Sequence, residues 1–237
     1  FSKNLTVSGP GANLLTVAGN NASRVFNISG SGSGSGLNVA ISGLTISNGR
    51  GGAGGGVIVT NSIGTFADCT FTGNTAVGNE GGAVQLANAG GTFTGCTFSG
   101  NTAGGNRGGA VSVENSSAAF TNCTVSGNTA NFGAGIALFN PNGNRTLSIT
   151  NCTITGNNSQ GNNASGLLVE VAAGLTTTAT VRNSIIANNI ISDFGRGSLA
   201  WNFPPDTRGH GPIRLGSPGF AEQGKPSLRE AVGKVCS

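Results

Sequence analysis

Apolar and polar residues alternate along this chain in short runs, and the runs return at a nearly constant interval. The phrases CTFTGNTA, CTFSGNTA and CTVSGNTA begin at Cys69, Cys96 and Cys123, which are 27 residues apart, and a weaker copy begins at Cys152. A fixed period of this length is typical of a solenoid, because one repeat cannot bury its apolar face without stacking on its neighbours.

Within each repeat the apolar residues keep one parity, which predicts short strands with one buried face. We predict three strands per turn of an all-β, right-handed, single-stranded parallel β-helix of about seven or eight turns. Equivalent positions of successive turns then form inward-facing columns. These columns are Phe66, Phe93 and Phe120; Phe71 and Phe98; and Cys69, Cys96, Cys123 and Cys152.

The corners of the repeats carry Asn after Gly, at Asn74, Asn101, Asn128 and Asn157. Asn tolerates left-handed backbone geometry, and stacked side-chain amides can hydrogen-bond along the axis. The repeats indicate a β-helix over residues 1–189. Residues 190–237 contain five of the seven prolines, the one Trp and the one His, which favours a C-terminal cap or tail with a short helix near 227–236.

Composition and charge exclude several functions. Charged residues make up 8% of the chain, and the net charge of +4 is spread thinly, so we expect no nucleic-acid binding. Because no apolar run approaches the ~20 residues of a membrane span, we expect none. The chain begins with Phe1 instead of Met, so we expect a processed or excised product from which any signal peptide has been removed.

The cysteines have two interpretations. We expect the four repeat cysteines to be buried free thiols that act as small hydrophobes. Vertical disulfides between turns stay open as an alternative, because stacked Cα atoms lie within disulfide range. Cys236 stands outside the repeats as a fifth, odd thiol.

Several phrases identify a family resemblance. NCTFSGNTA and GGAV resemble secreted right-handed parallel β-helix repeat proteins of the pectate-lyase-like fold, including bacterial surface and polymorphic outer-membrane proteins. The segments 3–12, 183–189 and 216–218 are similar to first and last turns of that family. Ser227-Leu228-Arg229-Glu230-Ala231 is similar to a signature that the family carries near its N-terminus. The resemblance implies an extracellular or cell-surface location, and it covers lyases, hydrolases, adhesins and inert scaffolds.

Candidate catalytic residues are few. His210 lies in a Gly-His-Gly that resembles polygalacturonases, but the three Asp (68, 193 and 206) are not adjacent to one another. A pectate lyase needs a carboxylate cluster for Ca²⁺, which the eight scattered acidic residues do not suggest. We therefore predict no catalytic residue, metal or cofactor. Glu80 and Arg107, one period apart, are expected to form a surface ion pair.

The function we predict is structural: a β-helix module of a fibre or adhesin that associates head-to-tail. Ser227 and Glu230 form a capping box, and the apolar face of the short helix would dock on the first turn of another copy or fold back on its own turns. The expected interface contains Phe1, Leu5, Ser227, Leu228, Glu230, Val232, Val235 and Cys236.

Two alternatives stay open. The chain could be a carbohydrate-binding or carbohydrate-active β-helix protein with polysaccharide as its partner. A two-column array of outward-facing Thr and Ser, which some β-helical antifreeze proteins present to ice, is a minor alternative.

Overall fold

The structure is a computed structural model of the 237-residue chain. It describes residues 3–31, 36–78, 80–140, 142–161, 164–172, 175 and 177–190, together with the backbone of the strands Phe194–Arg196 and Leu215–Gly216. Within this part of the chain the secondary structure is entirely strand and turn, and the strands form four parallel sheets along one solenoid.

The chain visits the four sheets in the same order in every complete turn. Sheet 1 contains Leu5–Ser8, Leu37–Ser42, Ser62–Ala67, Gly90–Thr94, Ser117–Thr121, Arg145–Thr150 and Thr177–Arg182. Sheet 2 contains Thr16–Ala18, Thr45–Ser47, Thr70–Thr72, Thr97–Ser99, Thr124–Ser126, Thr153–Thr155, Ile185–Ala187 and Leu215–Gly216. These sheets are the second and third strands of the predicted repeat.

The other two sheets complete each turn. Sheet 3 contains the two-residue strands Arg50–Gly51, Thr75–Ala76, Thr102–Ala103, Thr129–Ala130 and Asn158–Ser159. Sheet 4 contains Phe26–Ser29, Val57–Thr60, Val84–Ala87, Val111–Glu114, Ile136–Asn140, Leu167–Val171 and Phe194–Arg196. Every pair of neighbouring strands is parallel, as predicted.

Sheet 3 corrects two predictions: the number of strands in each turn and the number of turns. Four strands make a turn, because Thr75 and Ala76 extend after the corner and pair with Arg50–Gly51 and Thr102–Ala103. Two residues are too few for a period-two pattern to be recognised in the sequence. Since sheet 3 has five strands, about five turns are complete, fewer than the seven or eight predicted.

The interior consists of the predicted columns. The Phe66 and Phe93 rings stack with centroids 5.2 Å apart, Phe93 and Phe120 at 4.8 Å, and Phe71 and Phe98 at 4.7 Å. All five rings are fully buried. The stacking distance follows from the backbone, since adjacent strands lie about 4.8 Å apart. The column of four cysteines lies beside the rings, each 1–3% exposed and free.

A column of buried asparagines links successive turns, as predicted. The Asn74 side-chain amide donates to Asn101 Oδ1 at 2.9 Å, and Asn101 donates to Asn128 Oδ1 at the same distance. The column continues through Asn157 to Asn189. The predicted reason for this corner was partly wrong: the preceding glycines, such as Gly73 and Gly100, adopt the left-handed φ of 63°. The asparagines supply the hydrogen bonds instead.

The phenylalanine column predicts a large effect at its centre. Phe93→Ala should lower the free energy of unfolding by about 3–5 kcal/mol, because it removes a ring that contacts Phe66, Phe98 and Phe120 and leaves a cavity. Urea denaturation measures this difference. Thr92→Ala is the control, because Thr92 is the exposed neighbour on the same strand. Equal midpoints for Phe93→Ala and the parent would contradict the packing described here.

Candidate functional site

The outer face of sheet 4 is covered. Gln85, Ser112, Ala137 and Leu168 point away from the core, yet each is at most 6% exposed. The segments that connect sheets 3 and 4 account for this burial, because they carry Phe132 and Ala164, which pack against Ala137 and Leu168. Sheet 4 therefore has a second, smaller packed layer on its outer side, and polar residues collect in this layer.

Arg107 is the centre of that polar cluster. Its Nε donates to Glu170 Oε2 at 2.8 Å, and its Nη1 lies 3.3 Å from Glu80 Oε1. The guanidinium carbon stands 4.5 Å from the centroid of the Phe139 ring and 6.0 Å from that of Phe132. Arg107 thus combines two ion pairs with a cation–π contact, a combination that suits its planar guanidinium.

Glu80 is the most buried acid of the cluster, at 6% exposure. Ser112 Oγ donates to Glu80 Oε2 at 2.7 Å, and Asn106 Nδ2 donates to Oε1 at 3.1 Å. With the Arg107 contact, both carboxylate oxygens have partners inside the protein. This agrees with the general finding that buried charges are paired and hydrogen-bonded.

Glu114 is the third carboxylate of the cluster. Burial, and then the charge of Glu80, raises the pKa of the Glu114 carboxyl above its ordinary value. The hydrogen bond from Gln85 Nε2, at 3.3 Å, and the charge of Arg107 act in the opposite direction. Glu114 is therefore the acid of this cluster whose charged form is disfavoured by its surroundings.

One side chain connects four turns of the solenoid. Arg107 precedes Val111–Glu114 in its own turn, and Glu80 precedes Val84–Ala87 in the turn before. Phe139 belongs to the next turn and Glu170 to the one after, in the register Glu114–Phe139–Glu170 along sheet 4. We name Glu80, Arg107, Glu114, Phe139 and Glu170 the Arg107 clamp. It joins turns that share no direct strand pairing.

The predicted Glu80–Arg107 ion pair is confirmed, but its surroundings differ from the prediction. Glu80 is buried instead of lying on an open surface, and the fold gathers two further acids around the pair. Glu114 and Glu170 were missed because 56 residues and an irregular fifth repeat separate them in the sequence. Aligning the sheet 4 strands by their first residues would have placed both acids at the fourth position, in one column.

The predicted assembly interface is only partly within the described residues. Leu5 begins the first strand of sheet 1 and is 37% exposed. The remaining interface residues (Phe1, Ser227, Leu228, Glu230, Val232, Val235 and Cys236) lie outside the described residues, as do His210, Trp201 and the predicted 227–236 helix. These assignments stay predictions.

The buried cysteines form a row of core thiols whose pKa shifts alternate in direction. Hydrogen bonding to Cys96 lowers the pKa of the Cys69 thiol, and hydrogen bonding to Cys152 and Cys96 lowers that of Cys123. Hydrogen bonding to Cys123 and Cys69, and then burial, raise the pKa of the Cys96 thiol. Hydrogen bonding to Cys123, followed by burial, raises the pKa of Cys152. Because the thiolate is the nucleophilic form, these two thiols are inert packing groups. In the described ranges, no three His, Cys, Asp or Glu side chains are placed to hold a metal ion.

Comparison with known proteins places this architecture in a family. The model of the right-handed beta helix region matches residues 24–202, which is most of the chain. The chain therefore belongs to the right-handed beta helix family. No curated protein and no solved structure matches it. Within the part of the chain that the structure describes, no helix has the length and apolar character needed to cross a membrane.

The raised pKa of Glu114 predicts a stabilising substitution. The folded protein binds a proton on Glu114 more readily than the unfolded chain does, so this group favours folding at low pH and opposes it as the pH rises through the folded-state pKa. Glu114→Gln should therefore raise the urea midpoint at pH 7, and the gain should vanish below about pH 4, where the carboxyl is protonated in both states.

The matched control is Glu170→Gln, the same chemical change two turns further along the clamp. It should lower the midpoint at pH 7, because it removes the charge that Arg107 Nε contacts at 2.8 Å. A lower midpoint for Glu114→Gln at pH 7, or a difference that grows as the pH falls, would show that the Glu114 charge stabilises the clamp.

Proposed function

We propose that this chain is a structural β-helix module of the cell exterior or cell surface, built to associate head-to-tail in a fibre or adhesin. The observation that carries the proposal is the unbroken axial bonding of the solenoid. The buried asparagine amides link five successive turns, and the Arg107 clamp joins four turns on the outer side of sheet 4. Both devices resist separation of the turns along the axis.

The acids of the clamp support a structural role over a catalytic one. Both oxygens of Glu80 accept hydrogen bonds from side chains of the protein, and Arg107 contacts Glu170. A general acid or base needs a position from which it reaches the reacting atoms of a substrate. Here the carboxylates are engaged in holding the connecting segments against sheet 4.

The first turn supports association with another copy. Leu5–Ser8, Thr16–Ala18 and Phe26–Ser29 stand at the edges of sheets 1, 2 and 4 among the described strands. Leu14 and Leu15 of this turn are 69% and 44% exposed, and Val17 is partly buried where Ile46, its neighbour in register, is fully buried. Strand edges with apolar residues beside them favour pairing with a further chain. In this proposal the complementary face belongs to the helix that the sequence predicts at 227–236, which lies outside the described residues.

We expect concentration-dependent association that depends on the two ends. Sedimentation velocity and negative-stain microscopy should show oligomers of the parent, and removal of residues 226–237 should abolish them while the far-ultraviolet circular dichroism is retained. Leu14→Asp should weaken association, because it places a charge on the first-turn edge.

Ile63→Asp is the control for this experiment, since Ile63 is 46% exposed on the flank of sheet 1, away from the first turn. A parent that stays monomeric at high concentration would refute the proposal. Equal effects of Leu14→Asp and Ile63→Asp would assign the contact to the flank instead of the end.

Carbohydrate binding is the second candidate, and one surface favours it. A shallow groove crosses four strands of sheet 1, where Gly90 and Ala119 leave space between hydroxyl side chains such as Ser117, Thr146 and Ser148. The groove runs along the axis and its lining residues are uncharged, which suits a linear neutral glycan held by hydrogen bonds. This face is separate from the Arg107 clamp.

An assay for polysaccharide cleavage tests the enzyme alternative. We expect no unsaturated product from polygalacturonate, with or without Ca²⁺, because the acids of the clamp are held by Ser112, Asn106 and Arg107. Ultraviolet absorbance of the reaction mixture measures the product. Ca²⁺-dependent cleavage that Glu80→Gln removes, while Glu114→Gln retains it, would establish the enzyme alternative instead.

A further inference from the structure

The outer face of sheet 2 carries a regular set of hydroxyl side chains. Two residues of each strand point outward, and strand register places them in two columns along the axis. We name this set the hydroxyl array: Thr70, Thr97, Thr124 and Thr153 in one column, and Thr72, Ser99, Ser126 and Thr155 in the other. Adjacent rows are separated by about 4.8 Å along the axis, and the columns by about 6.6 Å across it.

Strand propensity alone does not explain this regularity. Thr is favoured at exposed strand positions, and that preference applies equally to sheet 1. The two outward columns of sheet 1 read Ala40, Thr65, Thr92, Ala119 and Ser148, and Ser42, Ala67, Thr94, Thr121 and Thr150. Sheets 1 and 2 belong to the same repeats, so duplication of the repeat would have made the columns of both sheets uniform. The column Thr70, Thr97, Thr124 and Thr153 keeps one residue over four turns, whereas the sheet 1 columns change residue at Ala67 and Ala119.

The array is rigid and uncharged. Each Thr carries a methyl group and a hydroxyl on a β-branched carbon, whose χ1 angle is restricted. Ser99 Oγ donates to Thr72 Oγ1 at 3.3 Å, so hydroxyls of neighbouring turns contact each other along the column. Directly beneath lie the stacked rings of Phe71 and Phe98, which are fully buried. The side chains therefore have little freedom to adapt to a partner of irregular shape.

The chemistry of the array selects its ligand. A charged polymer would need opposite charges on the protein, and all eight array positions are neutral. A small molecule is bound in a concave pocket lined by converging groups. This face is the outer side of a sheet with little twist, since the Phe71 and Phe98 rings beneath it are 4° from parallel. A flat, rigid lattice of hydroxyl and methyl groups matches a solid whose own hydrogen-bonding groups repeat at fixed intervals. Ice is such a solid, and it carries no charge.

We propose that the hydroxyl array of sheet 2 is an ice-binding surface. The array is bounded at the N-terminal side by Thr45, whose hydroxyl donates a hydrogen bond to the backbone oxygen of Ala12. At the other side Ile185, 51% exposed, takes the place of the next Thr. Four rows thus face solvent in a strip about 14 Å long. This function is independent of the head-to-tail association, because the strip lies on the flank of the solenoid.

The test is partition of the full chain into slowly growing ice. We expect enrichment of the parent in the ice relative to an unrelated protein of similar mass, and loss of that enrichment in Thr97→Lys. A lysine at this position places a strongly hydrated charge in the middle of the array. Thr92→Lys is the matched control, because Thr92 is exposed on sheet 1. It should partition as the parent does.

A second pair of variants separates loss of ice binding from misfolding. Thr124→Tyr adds bulk to the array, and Thr94→Tyr adds the same bulk to an exposed position of sheet 1. Circular dichroism establishes that each variant is folded. Exclusion of the parent from ice, or equal losses in the sheet 1 and sheet 2 variants, would overturn the proposal. Exclusion from ice combined with array-dependent binding to crystalline cellulose would overturn it in favour of a solid polysaccharide.

Discussion

The in-register pairing of successive turns is the constraint on which the rest of this structure depends. Because the strands are parallel and stacked at one spacing, every side chain lies next to the residue one turn before and one turn after it. Flat rings satisfy this arrangement well: Phe93 stacks on Phe66 and Phe120 with interplanar angles of 8° and 13°. Asn amides satisfy it also, because each offers one donor and one acceptor along the axis.

Interior columns could be predicted from the sequence because the constraint makes them periodic. Residues equivalent to Phe93 and Cys96 recur at the repeat length, so the burial of these positions could be predicted from the alternation of apolar and polar residues. The strand Thr75–Ala76 could not be predicted, since two extended residues carry no pattern. The clamp was only half predicted: Glu80 and Arg107 keep the period, whereas the contact of Arg107 with Glu170 depends on the path of irregular connecting segments.

The Arg107 clamp compensates for a weakness of the solenoid fold. Strand pairing joins only adjacent turns, so a defect in one turn divides the array into two parts. Arg107 lies over Phe139 and reaches Glu170, and in this way it passes over one turn to hold the next. In this arrangement Glu80 lies near Glu114, and the like charges of the two carboxylates repel each other. The layer that buries the ion pairs also buries Glu114, and this burial, followed by the charge of Glu80, raises the pKa of the Glu114 carboxyl.

The same constraint indicates where function is to be sought in such a protein. A periodic residue in the interior is explained by packing, and a variable residue outside is explained by exposure to water. What needs a different explanation is a periodic residue outside, where no packing imposes it. Thr70, Thr97 and Thr124 are of this kind. The two outward columns of sheet 1, built from the same repeats, change residue within these turns, at Ala67 and Ala119, which shows that exposure alone permits other residues. The outer face of sheet 2 thus carries a regularity that the fold does not require.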